Sequence, residues 1–145
     1  MENLQEYFNE LSSNDEARYF YHFTSVSGDK IMDEGLIVAN PSWEQSFLEF
    51  SPEELLNIED VINDNQGNKF KNNNTMIIVG VYKDDIDYFI RKLSPDEISY
   101  IGFEGVSLPD YIVDTNYILG YIDLNTLELY INEYANIYYD NLNLR

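Results

Sequence analysis

The chain has no cysteine, one histidine, one tryptophan and only eight Lys and Arg residues among 145. Without cysteine there is no disulfide and no thiolate-ligated metal. The shortage of cations says more. Eight basic residues stand against 27 acidic ones, a formal net charge of −19 with a pI near 4.1. A field of that sign repels nucleic-acid phosphates and draws cations, so direct binding of DNA or RNA is not expected and a basic protein partner is. No stretch approaches the ~18 consecutive apolar residues of a membrane span. The first residues, Met1-Glu2-Asn3-Leu4-Gln5-Glu6, lack the basic-then-apolar order of a secretory signal. A cytoplasmic protein without membrane contact is the expectation.

What is present is apolar and aromatic: 44% hydrophobic and 15% aromatic residues. That is too apolar for a disordered chain, and the length suits one domain around one core. Leu4, Tyr7, Phe8 and Leu11 recur at helical spacing, which predicts an amphipathic helix over residues 3–12 after an Asn3 cap. A strand is expected at 18–24, then a short helix at 27–34 with Gly35 just beyond it, then an extended piece at 36–39 stopped by Asn40-Pro41-Ser42.

Ser51-Pro52-Glu53-Glu54 combines a serine cap, a proline at the first helical position and a glutamate three residues after the serine. Leu55, Ile58, Val61 and Ile62 continue that helix on one face. Residues 64–74 read as an exposed loop, and 75–82 as a strand buried on both faces. Asp84-Asp85 opens a predicted helix with Ile86, Phe89 and Ile90 inward and Arg91-Lys92 at its end, matched to the helix dipole. Further strands are expected at 98–103, 111–113, 117–123 and 127–131, with a turn at Asn125-Thr126, while 133–144 fits helix or strand. With no repeat and no linker, residues 1–145 form a single α+β domain, helices early and antiparallel strands late.

The only histidine lies in Tyr21-His22-Phe23-Thr24-Ser25, an apolar strand that runs into Gly28-Asp29-Lys30-Ile31-Met32-Asp33-Glu34-Gly35. A strand imidazole serves as a neutral hydrogen-bonding group near pH 7, and the glycine lets the chain leave the helix through a left-handed turn. A distant acidic strand, Pro109-Asp110-Tyr111-Ile112-Val113, completes an ordered set. Together these segments resemble the ADP-ribosyltransferase superfamily, its poly(ADP-ribose) polymerase and bacterial-toxin branches above all. The motif order there is histidine, tyrosine, then glutamate or aspartate.

The resemblance implies an ADP-ribosyltransferase-like split antiparallel sheet with flanking short helices, and NAD as a substrate. It implies that His22 hydrogen-bonds the adenosine ribose, that the backbone of Phe23 pairs with the nicotinamide amide and that Thr24 orients nearby. Phe50, just before the Ser51-Pro52 helix start, takes the tyrosine's place as the stacking aromatic. Asp110 stabilises the oxocarbenium-like cation that develops as the nicotinamide–ribose bond breaks. Glu104, between Gly102 and Gly105, competes for the role of the acid. The arginine-directed branches carry a second acid where this chain has Leu108, so arginine modification is disfavoured. No metal is implied, and the pairs Glu53-Glu54, Glu59-Asp60 and Asp84-Asp85 lack the pattern of a calcium loop.

Two functions of different class follow. One is NAD-dependent ADP-ribosyl transfer to a protein or nucleotide target in a bacterial or phage conflict. The other is a catalytically inactive acidic binding protein, an immunity protein or an inhibitor of a nucleic-acid-handling machine, whose charge faces a basic partner.

Overall fold

The computed structural model describes residues 4–97 and 111–137. After helix α1 (Leu4–Ser12) come β1 (Ala17–Thr24), α2 (Gly28–Glu34), β2 (Leu36–Val38), α3 (Trp43–Ser46), β3 (Leu48–Glu49), α4 (Pro52–Leu55) and α5 (Ile58–Asp64). Then follow β4 (Thr75–Tyr82), β5 (Ile90–Lys92), β6 (Tyr111–Val113), β7 (Ile118–Asp123) and β8 (Leu129–Ile131). The strands form two antiparallel sheets, one of five in the order β3-β1-β4-β7-β8 and one of three in the order β2-β6-β5. The α+β expectation holds, although strands and helices interleave instead of separating into early and late halves.

β1 and β4 pair along their whole length, from Ala17 opposite Tyr82 to Thr24 opposite Thr75. Side chains alternate between faces of a strand, so this pair has two sets of contacts. Tyr19, Tyr21, Met76 and Ile78 pack against Tyr7, Phe8 and Leu11 of α1 and against α4 and α5. Phe20, Ile77, Val79 and Val81 pack against Ile31 of α2, Leu36 and Val38 of β2, Phe47, Phe89 and Val113 of β6. The molecule is therefore three-layered: helices, the large sheet, then α2 with the small sheet. Every residue from Met76 to Val81 is buried, as a strand covered on both faces requires.

Several expected elements are reshaped by partners distant in sequence. The Ser51 start is a complete capping box, with Ser51 Oγ accepting from Glu54 N and Glu54 Oε1 accepting from Ser51 N. The helix it begins is broken into α4 and α5 at Leu56-Asn57. Gln5 of α1 bridges the break: its Nε2 donates to Leu55 O at 2.9 Å and its Oε1 accepts from Ile58 N at 2.9 Å. Groups orphaned by the interruption are thus satisfied from another helix.

The predicted helix after Asp84-Asp85 is a correction. Only a 3-10 turn forms, Lys83–Asp85, and Ile90–Lys92 pairs with β6 as a strand. Arg91 does not end a helix; its Nε donates to Asp114 at 2.7 Å and its Nη2 to Glu97 at 2.7 Å. Phe89 does turn inward, stacked on Phe20 at 5.7 Å between ring centres. The loop expected at 64–74 contains a 3-10 segment, Gln66–Lys71, and Trp43–Ser46 adds a helix that apolar periodicity did not mark. Asn3, the strand expected at 98–103 and most of the 133–144 tail lie outside the described residues.

α2 docks on the large sheet through a close approach. A Cβ at Gly28 would lie 2.3 Å from Cγ of Tyr121 in β7, and the Tyr121 hydroxyl donates to Asp29 Oδ1 at 2.8 Å. Gly28→Ala is expected to push the helix off the ring and destabilise the fold by roughly 1–3 kcal/mol. Chemical denaturation measures this, and a variant as stable as the parent would show that α2 is not held at this point.

Candidate functional site

Phe20, His22 and Thr24 share the face of β1 that looks toward α2 and the small sheet. Past the Phe20–Phe47 packing, the last turn of β1 is not filled. A cavity of about 140 Å³ opens there between His22 and Thr24, the α2 residues Lys30, Ile31 and Glu34, and Leu36 of β2. That is close to the ~150 Å³ that holds one benzene ring in an engineered cavity. Gly35 makes the wall: at φ +98° it turns the chain from α2 into β2, and a Cβ there would meet Val113 O at 2.8 Å. Any other residue would be strained in both respects.

The imidazole of His22 is held in one tautomer. Nδ1 donates to Ser46 O at 2.8 Å, and the ring lies 5.6 Å from that of Phe47. Nδ1 therefore carries the hydrogen of the neutral ring, and Nε2 is an acceptor. Burial pushes the His22 pKa below its ordinary 6.5, and the Ser46 carbonyl opposes this only in part. At neutral pH the cavity has an uncharged acceptor on its wall.

The backbone of β1 supplies a second polar group. Tyr19 O accepts from Phe50 N on the β3 side, whereas Glu16 O accepts from Lys83 N on the β4 side. In an antiparallel ladder both backbone groups of one residue point the same way, and the direction alternates. Tyr19, Tyr21 and Phe23 thus face β3. β3 ends its pairing at Tyr21, so the N–H and C=O of Phe23 are directed at an edge that no described strand covers. The neighbours of Phe23, His22 and Thr24, both line the cavity.

Charge at the site is sparse. Arg18 is committed elsewhere: its Nε and Nη2 grip Glu49 at 2.8 and 2.7 Å, and its guanidinium lies 4.8 Å from the Trp43 ring centre. Among the described residues, Lys30 and Glu34 are the charged side chains on the cavity wall. Among the described residues no group of three or more His, Cys, Asp and Glu could hold a metal ion, and no helix is long and apolar enough to cross a membrane.

The predicted site residues divide. His22 and Thr24 share the cavity, and the Phe23 backbone lies between them. Phe50 is a correction: it belongs to the opposite layer, 5% exposed, 4.5 Å from the Tyr21 ring and 5.6 Å from Phe8. Facing the odd-numbered side of β1, it cannot stack on anything bound beside His22. The aromatic neighbour of His22 is Phe47, itself buried. Asp110 and Glu104 lie outside the described residues, as does Leu108; β6 is described from Tyr111. Sequence alone does not disclose the fixing of the His22 tautomer by Ser46 or the place of Glu34 on the wall. A main-chain carbonyl leaves no mark in sequence, whereas the i, i+4 spacing of Lys30 and Glu34 on α2 was a usable signal.

Comparison with protein-family models, with curated proteins and with solved structures finds no match for this chain.

Because His22 is the chain's only histidine, its ring protons give an unambiguous titration by NMR. The folded midpoint is expected below 6.5. Between that midpoint and the unfolded value the unfolded chain binds more protons, so stability rises with pH there. The contribution is complete above pH 6.5 and lost as the pH falls through the folded midpoint. His22→Gln should remove this component of the acid sensitivity, and a folded midpoint above 6.5 would contradict the half-buried neutral ring.

Proposed function

We propose that the β1–α2–β2 cavity seats one ring of NAD, with the rest of the dinucleotide outside it, and that the chain transfers the ADP-ribose unit to a protein or nucleotide target. The observation that carries this reading is the polar sequence along the end of β1. His22 offers a neutral acceptor and Thr24 a hydroxyl on the wall of one small cavity, and between them the backbone donor and acceptor of Phe23 lie side by side toward an edge that no described strand covers. A backbone N–H beside a C=O complements a carboxamide, whose oxygen accepts and whose NH2 donates. Nicotinamide presents such a group on one six-membered ring. Two separate antiparallel sheets, with the histidine strand in one and the strand after Asp110 in the other, agree with the split-sheet fold that the motif order implies. Apolar contact comes from Ile31 and Leu36.

In the transfer, the bond between ribose C1′ and the nicotinamide nitrogen breaks and its electron pair leaves with nicotinamide. The ribose carries developing positive charge until a nucleophile of the target bonds to C1′ and gives up its proton. A carboxylate near the ribose lowers the energy of that cation, and Asp110 is the residue assigned to it. His22 contacts a part of NAD that does not change during the reaction.

A second reading has its own support. Both described arginines are held in carboxylate pairs, Arg18 with Glu49 and Arg91 with Glu97 and Asp114, which leaves the acidic surface little offset. A noncatalytic protein that binds a basic partner would use that surface. NAD separates the two: at ~100 times its dissociation constant it adds ~2.7 kcal/mol of stability to a protein that binds it. A melting temperature that does not move in millimolar NAD favours the second reading.

Incubated with labelled NAD and a cell extract, the protein is expected to yield a labelled product that Asp110→Ala abolishes. Full labelling by that variant would remove Asp110 from the mechanism. Kinetics divide the roles further. His22→Ala should raise KM by roughly tenfold, because it removes binding common to ground and transition states. Asp110→Asn should lower kcat by ~10²–10³, in line with the loss of one electrostatic stabiliser. If both variants changed KM alone, the carboxylate would be a ground-state ligand and not a catalytic residue.

A further inference from the structure

We infer that Lys30 holds the diphosphate of the bound nucleotide, an assignment that rests on the NAD reading and fixes which part of the ligand lies along α2. Among the described residues Lys30 is the only cationic side chain on the cavity wall. In a chain of net charge −19, a bound diphosphate must find local positive charge or be repelled by the whole molecule. Arg18, the other cation of this region, has both arms of its guanidinium committed to Glu49 and its face to Trp43.

Lys30 is exposed and, among the described residues, forms no ion pair within 4.0 Å. This holds even though Glu34 follows one turn later on the same helix and lines the same cavity. Lysine before glutamate is the weaker i, i+4 order, which leaves the ammonium available. The two charges also polarise the cavity along α2. An anionic group is favoured at Lys30 and disfavoured one turn on at Glu34, so the uncharged parts of the ligand are directed toward Glu34 and the β1 edge.

Calorimetric titration of the whole chain with ADP-ribose, NAD, adenosine and nicotinamide tests this. Lys30→Gln is expected to weaken ADP-ribose and NAD by roughly tenfold or more, the size of a lost charge-assisted hydrogen bond. Adenosine and nicotinamide, which carry no phosphate, should stay within about twofold. Lys30→Arg should keep most of the affinity, and Glu34→Gln should tighten the two phosphorylated ligands. If the parent binds NAD and Lys30→Gln binds it equally well, the lysine assignment is wrong while the NAD reading stands. If adenosine weakens as much as ADP-ribose, Lys30 shapes the cavity instead of meeting phosphate, which also overturns the assignment. A parent that binds none of the four at millimolar concentration ends the NAD reading and this inference with it.

Discussion

The pairing of β1 with β4 is the constraint on which everything else depends. Eight consecutive residue pairs fix the register, and a slip by one residue would turn the faces of one strand over relative to the other. In the present register Tyr19 and Tyr21 complete the helical layer, while Phe20 and the β4 residues Ile77, Val79 and Val81 complete the layer shared with the small sheet. Both faces are buried, so neither can slip without exposing aromatic surface. His22 and Thr24 reach the cavity because their parity matches that of Phe20.

That parity also explains how much of the site was legible. Chain order alone locates His22, Thr24 and the helix closed by Gly35, because they are neighbours in sequence and their elements are local. Phe50 failed for a non-local reason. Its side of β1 is decided by how β3 pairs, with Phe20 opposite Glu49 and Tyr21 opposite Leu48, and two residues of strand leave no periodic signal. The capping box at Ser51 was visible because all its atoms lie within four residues. The interruption at Asn57 was not, since the group that makes it tolerable belongs to Gln5, 50 residues from Leu55.

The same division runs through the rest of the fold. β4 announced itself as an unbroken apolar run, and β6 and β7 were near their expected positions. The segment before β5 reads as a helix because Ile86, Phe89 and Ile90 have helical spacing, while its strand partners lie in β6, 19 to 23 residues away. Its charges obey the same logic. Arg91 looked like a helix-end cation, yet it ties β5 to Asp114 beyond β6 and to Glu97, whose carboxyl it holds down to about 2. In so acidic a chain arginines find carboxylates wherever the fold brings them, and sequence adjacency does not select which.

Gly28 and Gly35 bracket α2, and each rests against a different sheet: Gly28 on the Tyr121 ring of β7, Gly35 on the Val113 carbonyl of β6. A seven-residue helix is a strut roughly 10 Å long at 1.5 Å per residue, wedged between the two sheets at both ends. Neither seat can accept even a methyl group without moving. The gap between the sheets along this side is therefore gauged by the length of one short helix, and the aperture beside His22 is preset. What enters must already have the right thickness.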